Sequence, residues 1–170
     1  MLKALRRTTT SSSIFVFVVL LNLALGCNQP VEQTTESSNF IKVEGDDPEM
    51  DSAIETAQET FDYFRKHWQD PSFDGYSVKF ALPTPDDDLE HIWFEPTAID
   101  GDQITASCAN DPVNLPDLQY GDSRTVGLDS LSDWMLVKGN QCYGGYTIRV
   151  LTKRSPEAAP PLEFMDVPSD

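Results

Sequence analysis

The chain has 170 residues and a formal net charge of −16. So acidic a body is repelled by phosphate backbones and anionic lipid headgroups, which excludes nucleic acid as a partner. Membrane contact then has to come from an anchor and not from the protein surface, whose acidity serves solubility first.

Lys3, Arg6 and Arg7 form a basic head, residues 14–25 an apolar run broken only by Asn22, and Ala24-Leu25-Gly26 places small residues ahead of Cys27. A helix crossing a bilayer needs about 20 apolar residues, and this run is much shorter. Residues 1–26 therefore read as a signal peptide. Leu23-Ala24-Leu25-Gly26-Cys27 resembles a bacterial lipobox, with Ala24 where leucine is more usual; simple secretion is the alternative. The expectation is an exported lipoprotein held by palmitate-type acyl chains on Cys27, on the periplasmic or outer-membrane face of the envelope. Residues 27–47 are polar apart from Phe40, Ile41 and Val43 and read as a flexible tether with a reach of roughly 25 Å.

Residues 48–154 are expected to form one α+β domain. Asp46 or Asp47 can cap a helix, Pro48 suits its first turn, and Glu49 and Asp51 complement its positive end. Met50, Ile54, Ala57, Phe61, Phe64 and Trp68 then recur at three- and four-residue steps. That spacing predicts one long amphipathic helix of about 20 residues, ended by Asp70-Pro71. Short β-like runs follow at Val78-Phe80-Leu82 and at residues 91–94, 104–107, 125–128 and 134–137, separated by turn residues such as Asp100-Gly101 and Gly139-Asn140. Residues 143–151 read either as a strand, from Thr147, Ile148 and Val150, or as a helix opened by Gly144-Gly145. The expected architecture is this helix packed on a small, curved, mostly antiparallel sheet of about five strands. Residues 155–170, with Pro156, Pro160, Pro161 and Pro168, read as a disordered tail, with docking of Leu162, Phe164 and Met165 onto the domain or a partner as the alternative.

Glu90-His91-Ile92-Trp93, Asn110-Asp111-Pro112, Gly121-Asp122, Ser132-Asp133-Trp134-Met135 and Gly144-Gly145-Tyr146-Thr147-Ile148-Arg149 stand in this order along the chain. In order and spacing they resemble the YegJ-like bacterial family, domain of unknown function 2314, over residues 50–151. The resemblance implies a fold family and brings no activity, cofactor or catalytic residue with it.

Among the matched residues, Trp93 and Trp134 read as core, with a ligand-holding aromatic patch as the alternative. Arg149 sits in an apolar run, where a guanidinium needs carboxylate partners. Glu90 and Asp133 are the candidates, either in a shallow ligand cleft or as a structural ion pair. Cys108 and Cys142 remain once Cys27 is lipidated and are expected to pair in an oxidising envelope; as free thiols they leave a cysteine nucleophile with His91 as base formally open. Only two histidines occur and no ligand spacing for zinc, so no metal and no cofactor is expected. Asp86-Asp87-Asp88 reads as a solvated turn, and there is neither a phosphate-cradling glycine loop nor a Gly-x-Ser-x-Gly elbow. No catalytic residue is assigned. The leading expectation is a non-catalytic module binding an envelope protein or peptide. The alternatives are a carboxylate-based envelope enzyme and an inhibitor or immunity-type protein for a basic partner.

Overall fold

The computed structural model describes residues 47–168; the leader, Cys27 and nearly all of the tether lie outside the described residues. Helix α1 spans Pro48–Glu59 and opens as its sequence dictates, with the Asp47 side chain accepting the Met50 N–H at 3.2 Å. The expected long helix is instead two short ones, because α2 runs separately over Phe61–His67. Two contacts account for the break. The Thr60 hydroxyl bonds back to the Thr56 carbonyl at 2.7 Å, and the Ala57 carbonyl, the natural acceptor for Phe61, takes the Trp134 indole N–H at 2.9 Å. The apolar stripe survives it, with Met50, Ala57, Phe61 and Phe64 buried.

The sheet has seven strands where about five were expected: β1 (Gly75–Pro83), β2 (Leu89–Asp100), β3 (Gln103–Cys108), β4 (Ser123–Gly127), β5 (Leu131–Lys138), β6 (Gln141–Gly144) and β7 (Glu163–Met165). Their order is β4-β3-β2-β1-β5-β6-β7, antiparallel throughout except for β6 with β7. Alternation sends Val78, Phe80, Leu82, Ile92, Phe94, Ile104, Ala106, Trp134 and Leu136 into the core against the helices. The opposite face carries Lys79, Trp93, Glu95, Thr105, Thr125 and Asp133. Two bulges interrupt the ladder: Thr97 is the extra residue between Pro96 and Ala98 of β2, and Ser132 is the extra residue of β5 opposite Lys79 and Phe80. Pro96 lacks an N–H to give to a ladder, which suits it to that position.

Residues 143–151 divide between the two readings. β6 ends at Gly144, and α3 spans Tyr146–Arg154. Gly144 has φ +77°, and a side-chain carbon on it would run into the Trp134 carbonyl oxygen and lie 2.7 Å from its ring. Only glycine lets β6 pass this close to β5. Lys153 and Arg154 at the end of α3 reach back to Asp47 and Glu49 at the start of α1. The Arg154 guanidinium holds the Asp47 carboxyl down at about 2.

Residues 155–168 of the expected free tail are part of the fold. A short turn at Pro156–Ala158 leads into β7, which pairs with β6, and Val167 beyond it packs on the main core. The expected disulfide is also excluded. Cys108 ends β3 and Cys142 sits in β6, with β2, β1 and β5 between them, so the two are about 19 Å apart at the usual strand spacing. Both are free and buried. Burial pushes the Cys142 thiol up to about 11 and raises that of Cys108 as well, which makes a thiolate nucleophile unfavourable at neutral pH. The folded chain is expected to show the same intact mass with and without reductant; a gain of about two mass units on reduction would indicate a bond that this sheet order forbids.

Candidate functional site

Of the buried polar residues among those described, Ser132, Asp133 and Thr147 gather where β5 meets the start of α3. Helix α3 has no cap from its own flanking residue, because its N-cap is Gly145, at φ +64°. Asp133 supplies the cap from β5. Its Oδ1 accepts the N–H groups of Trp134 at 2.8 Å and Tyr146 at 3.0 Å. Its Oδ2 accepts the Thr147 N–H at 2.9 Å and the Thr147 hydroxyl at 2.6 Å. Four donors fill both oxygens, and the residue is 0% exposed.

Lys79 lies across the strand pair from Asp133 and reaches it through a hydroxyl. Its Nζ donates to Thr147 Oγ1 at 3.1 Å, and that same oxygen donates to Asp133. The ammonium also stands 5.4 Å from the centre of the Trp93 ring. Burial raises the Asp133 carboxyl, opposed by the Thr147 hydrogen bond and the Lys79 charge; burial likewise lowers Lys79, opposed by Asp133. The two costs are met by one relay, Lys79 to Thr147 to Asp133.

Beside it, His91 Nδ1 lies 2.9 Å from Ser132 Oγ, and Ser132 Oγ donates to the Lys79 carbonyl at 3.3 Å. A serine beside a histidine suggests an acyl-transfer pair. Ser132 is only 1% exposed, however, and its bulge position turns the hydroxyl inward, so it does not face a substrate. Burial first and the Lys79 charge second push His91 down to about 4 from an ordinary 6.5. The residue keeps an exposed surface, and water there tempers the shift. A histidine depressed in the folded state takes up its proton more readily when unfolded. Its contribution therefore lowers stability as pH falls from about 6.5 towards 4. An NMR titration is expected to place His91 below 6.5, and Lys79→Met to raise its midpoint; a wild-type midpoint at or above 6.5 would show that neither cause operates.

The five residues singled out in the sequence do not form one cleft. Trp134 is fully buried among Phe64, Tyr63 and Tyr146, as a core residue should be. Trp93 is not core: it is partly exposed on the opposite face of the sheet, with its backbone N–H donating to Asn110 Oδ1 at 2.8 Å. Arg149 pairs with neither expected carboxylate. Its Nε donates to the Gly144 carbonyl at 3.1 Å, its NH2 group to the Met165 carbonyl at 2.6 Å, and its plane stacks on Tyr146 and Phe164. Backbone carbonyls, aromatic faces and Asp166 at 3.9 Å replace the partner that the apolar run demanded. Glu90 holds a loop, its two oxygens accepting the N–H groups of Val113 at 2.6 Å and Asn114 at 2.7 Å.

Sequence reasoning missed Lys79 and Thr147. Lys79 stands in alternation with Val78 and Phe80, and only the spatial pairing of β1 with β5 puts it beside an acid. Open depressions include one of about 520 Å³ around Trp68, Phe73 and Tyr76 and one of about 580 Å³ around Gln58 and Gln103; neither of these touches the relay. Among the described residues, no three His, Cys, Asp or Glu side chains converge to hold a metal.

The sequence profile of a bacterial family described as "Uncharacterized protein conserved in bacteria (DUF2314)" matches residues 47–159. A protein of Neisseria meningitidis serogroup B, provisionally named an ankyrin repeat protein, is 32% identical over 118 residues, covering 64% of this chain and 47% of that relative. The Escherichia coli K12 protein named "Uncharacterized protein YegJ" is 29% identical over 108 residues, covering 64% of this chain and 70% of that relative. The chain thus spans about half the length of the Neisseria relative. No solved structure matches it. The matched span contains the relay, the His91–Ser132 pair and Arg149.

Proposed function

We propose, for a chain that belongs to the bacterial family DUF2314, that it is an envelope lipoprotein whose folded domain recognises a protein or peptide without catalysing a reaction. The observation that carries this reading is the saturation of Asp133. A carboxylate that is 0% exposed and accepts four hydrogen bonds has no lone pair to offer a substrate. Glu90 spends one lone pair of each oxygen on a backbone amide that holds a loop, a positioning duty that weakens the case for a carboxylate-based enzyme. What the sheet face away from α1 and α2 leaves at the surface is a recognition set: part of Trp93, His91, Glu95 and the bonded pair of threonines, Thr105 and Thr125. The net charge of −16 favours a basic partner, the inhibitor-like form of the same reading.

The test is photo-crosslinking in the native cell with p-benzoylphenylalanine at Glu95, on this face, and at Glu55, on the exposed side of α1. A discrete partner is expected from position 95 and not from position 55. It should be lost with Cys27→Ser, which is expected to move the protein out of the membrane fraction. The same adducts from both positions would count against the recognition face, and an unchanged fractionation of Cys27→Ser against the lipid anchor.

A further inference from the structure

Strand β7 closes one edge of the sheet, and its hold on β6 consists of a few specific contacts. Glu163, Phe164 and Met165 run parallel to Gln141, Cys142 and Tyr143. The Glu163 N–H donates to the Asn140 carbonyl at 2.7 Å. Arg149 donates to the Met165 carbonyl at 2.6 Å while its guanidinium lies 5.3 Å from the centre of the Phe164 ring, and Asp166 follows 3.9 Å from the same group. A side-chain carbon on Gly145 would stand 3.2 Å from Cys142 Sγ and 3.3 Å from the Phe164 ring, so thiol and ring share the hollow over this glycine. Cys142 is 0% exposed. The strand is three residues long and reaches β6 through a linker holding Pro156, Pro160 and Pro161. So short an edge strand belongs to the part of a fold that opens first.

We propose that the β6 edge is an acceptor for an extended segment of a partner protein, and that β7 is the chain's own occupant of that edge. The slot specifies what fits: a backbone N–H for the Asn140 carbonyl, then an aromatic ring to lie under Arg149, then a carbonyl for its NH2 group, then an acid. A partner segment with an aromatic residue followed two places later by an acid meets all four by parallel strand addition. A second copy of this chain carries the same segment, yet two bodies each of net charge −16 repel one another, so a foreign segment is the occupant. The resident strand lowers a partner's apparent affinity by the fraction of time that the edge is open. The inference uses none of the residues of the polar face, and its failure would leave the crosslinking result at Glu95 untouched.

The test compares the full chain with Phe164→Ala and with Glu163→Pro, which deletes the N–H to Asn140 and keeps the ring. Each is mixed with a fluorescein-labelled synthetic peptide Leu-Glu-Phe-Met-Asp-Val, the sequence of residues 162–167. Both variants are expected to bind it at least about tenfold more tightly than the unaltered chain. Cys142, mapped by peptide mass, is expected to become open to iodoacetamide in the variants and to be protected again by the peptide. Cys108, buried in β3, should stay unlabelled in every case and reports that the variants are folded. If one variant unfolds, the other carries the test; if both unfold, β7 is a fixed part of the fold and the proposal fails. Equal affinity for all three proteins, or a Cys142 that the peptide does not protect, overturns it. So does an unaltered chain that dimerises by exchanging its tails, because the occupant is then a second copy.

Discussion

Asp133→Ala is expected to cost the fold about 3 kcal/mol or more, because several donors around it lose their shared acceptor and each buried group left unpaired costs about 1–3 kcal/mol. Three effects act together. The N–H groups of Tyr146 and Thr147 lose the acceptor that starts α3, the Trp134 backbone N–H loses its carboxylate partner, and Lys79 keeps a half-buried ammonium with only a hydroxyl and a ring beside it. Set against a total stability of about 5–15 kcal/mol for a domain of this size, that loss decides whether the chain is folded. Asp133→Asn should lose less but not recover, because its amide nitrogen would meet N–H donors on one side. Urea denaturation of the single variants and of Asp133→Ala with Lys79→Met checks the relay. The double variant should lose less than the sum, by about 0.5–3 kcal/mol; strict additivity would mean that the two charges do not act on each other.

Gly144→Ala is expected to be as damaging, for a different reason. The backbone there sits at φ +77°, which alone costs an L-residue about 1–2 kcal/mol, and the new methyl meets the backbone oxygen of Trp134, which cannot swing aside. Relief requires β6 to lift off β5, and with it the start of α3. Gly139→Ala separates the two costs. Its φ is +60°, and nothing lies within 4 Å of the added carbon, so only the conformational penalty applies. Thermal unfolding should place Gly139→Ala slightly below the unaltered chain and Gly144→Ala lower by on the order of 10 °C or more. Equal shifts would show that the close approach to Trp134 is not what glycine provides.

The parts of this fold that follow from local pattern were legible in the sequence. The stripe from Met50 to Phe64, a cap from Asp46 or Asp47, the alternation of Val78, Phe80 and Leu82 in β1 and the short runs that fall in β2 to β5 each depend on residues near one another in the chain. What was not legible depends on contacts between distant residues. The break between α1 and α2 requires the Trp134 indole, 77 positions away, to take the Ala57 carbonyl. The partners of Arg149 are backbone carbonyls, which every residue has and no sequence pattern marks. β6 and β7 are four and three residues long, too short to show a period, and prolines beside β7 argued for an unstructured tail until pairing overrode them. The cysteines illustrate the same point. Their pairing was a statement about compartment, and strand order, not compartment, decides whether two sulfurs meet.

The clasp between Asp47 and Arg154 ties two helix ends to each other. Charges bridge the start of α1 and the end of α3, so fraying at either helix end removes the other's ion-pair partner, and the two ends open together instead of one at a time.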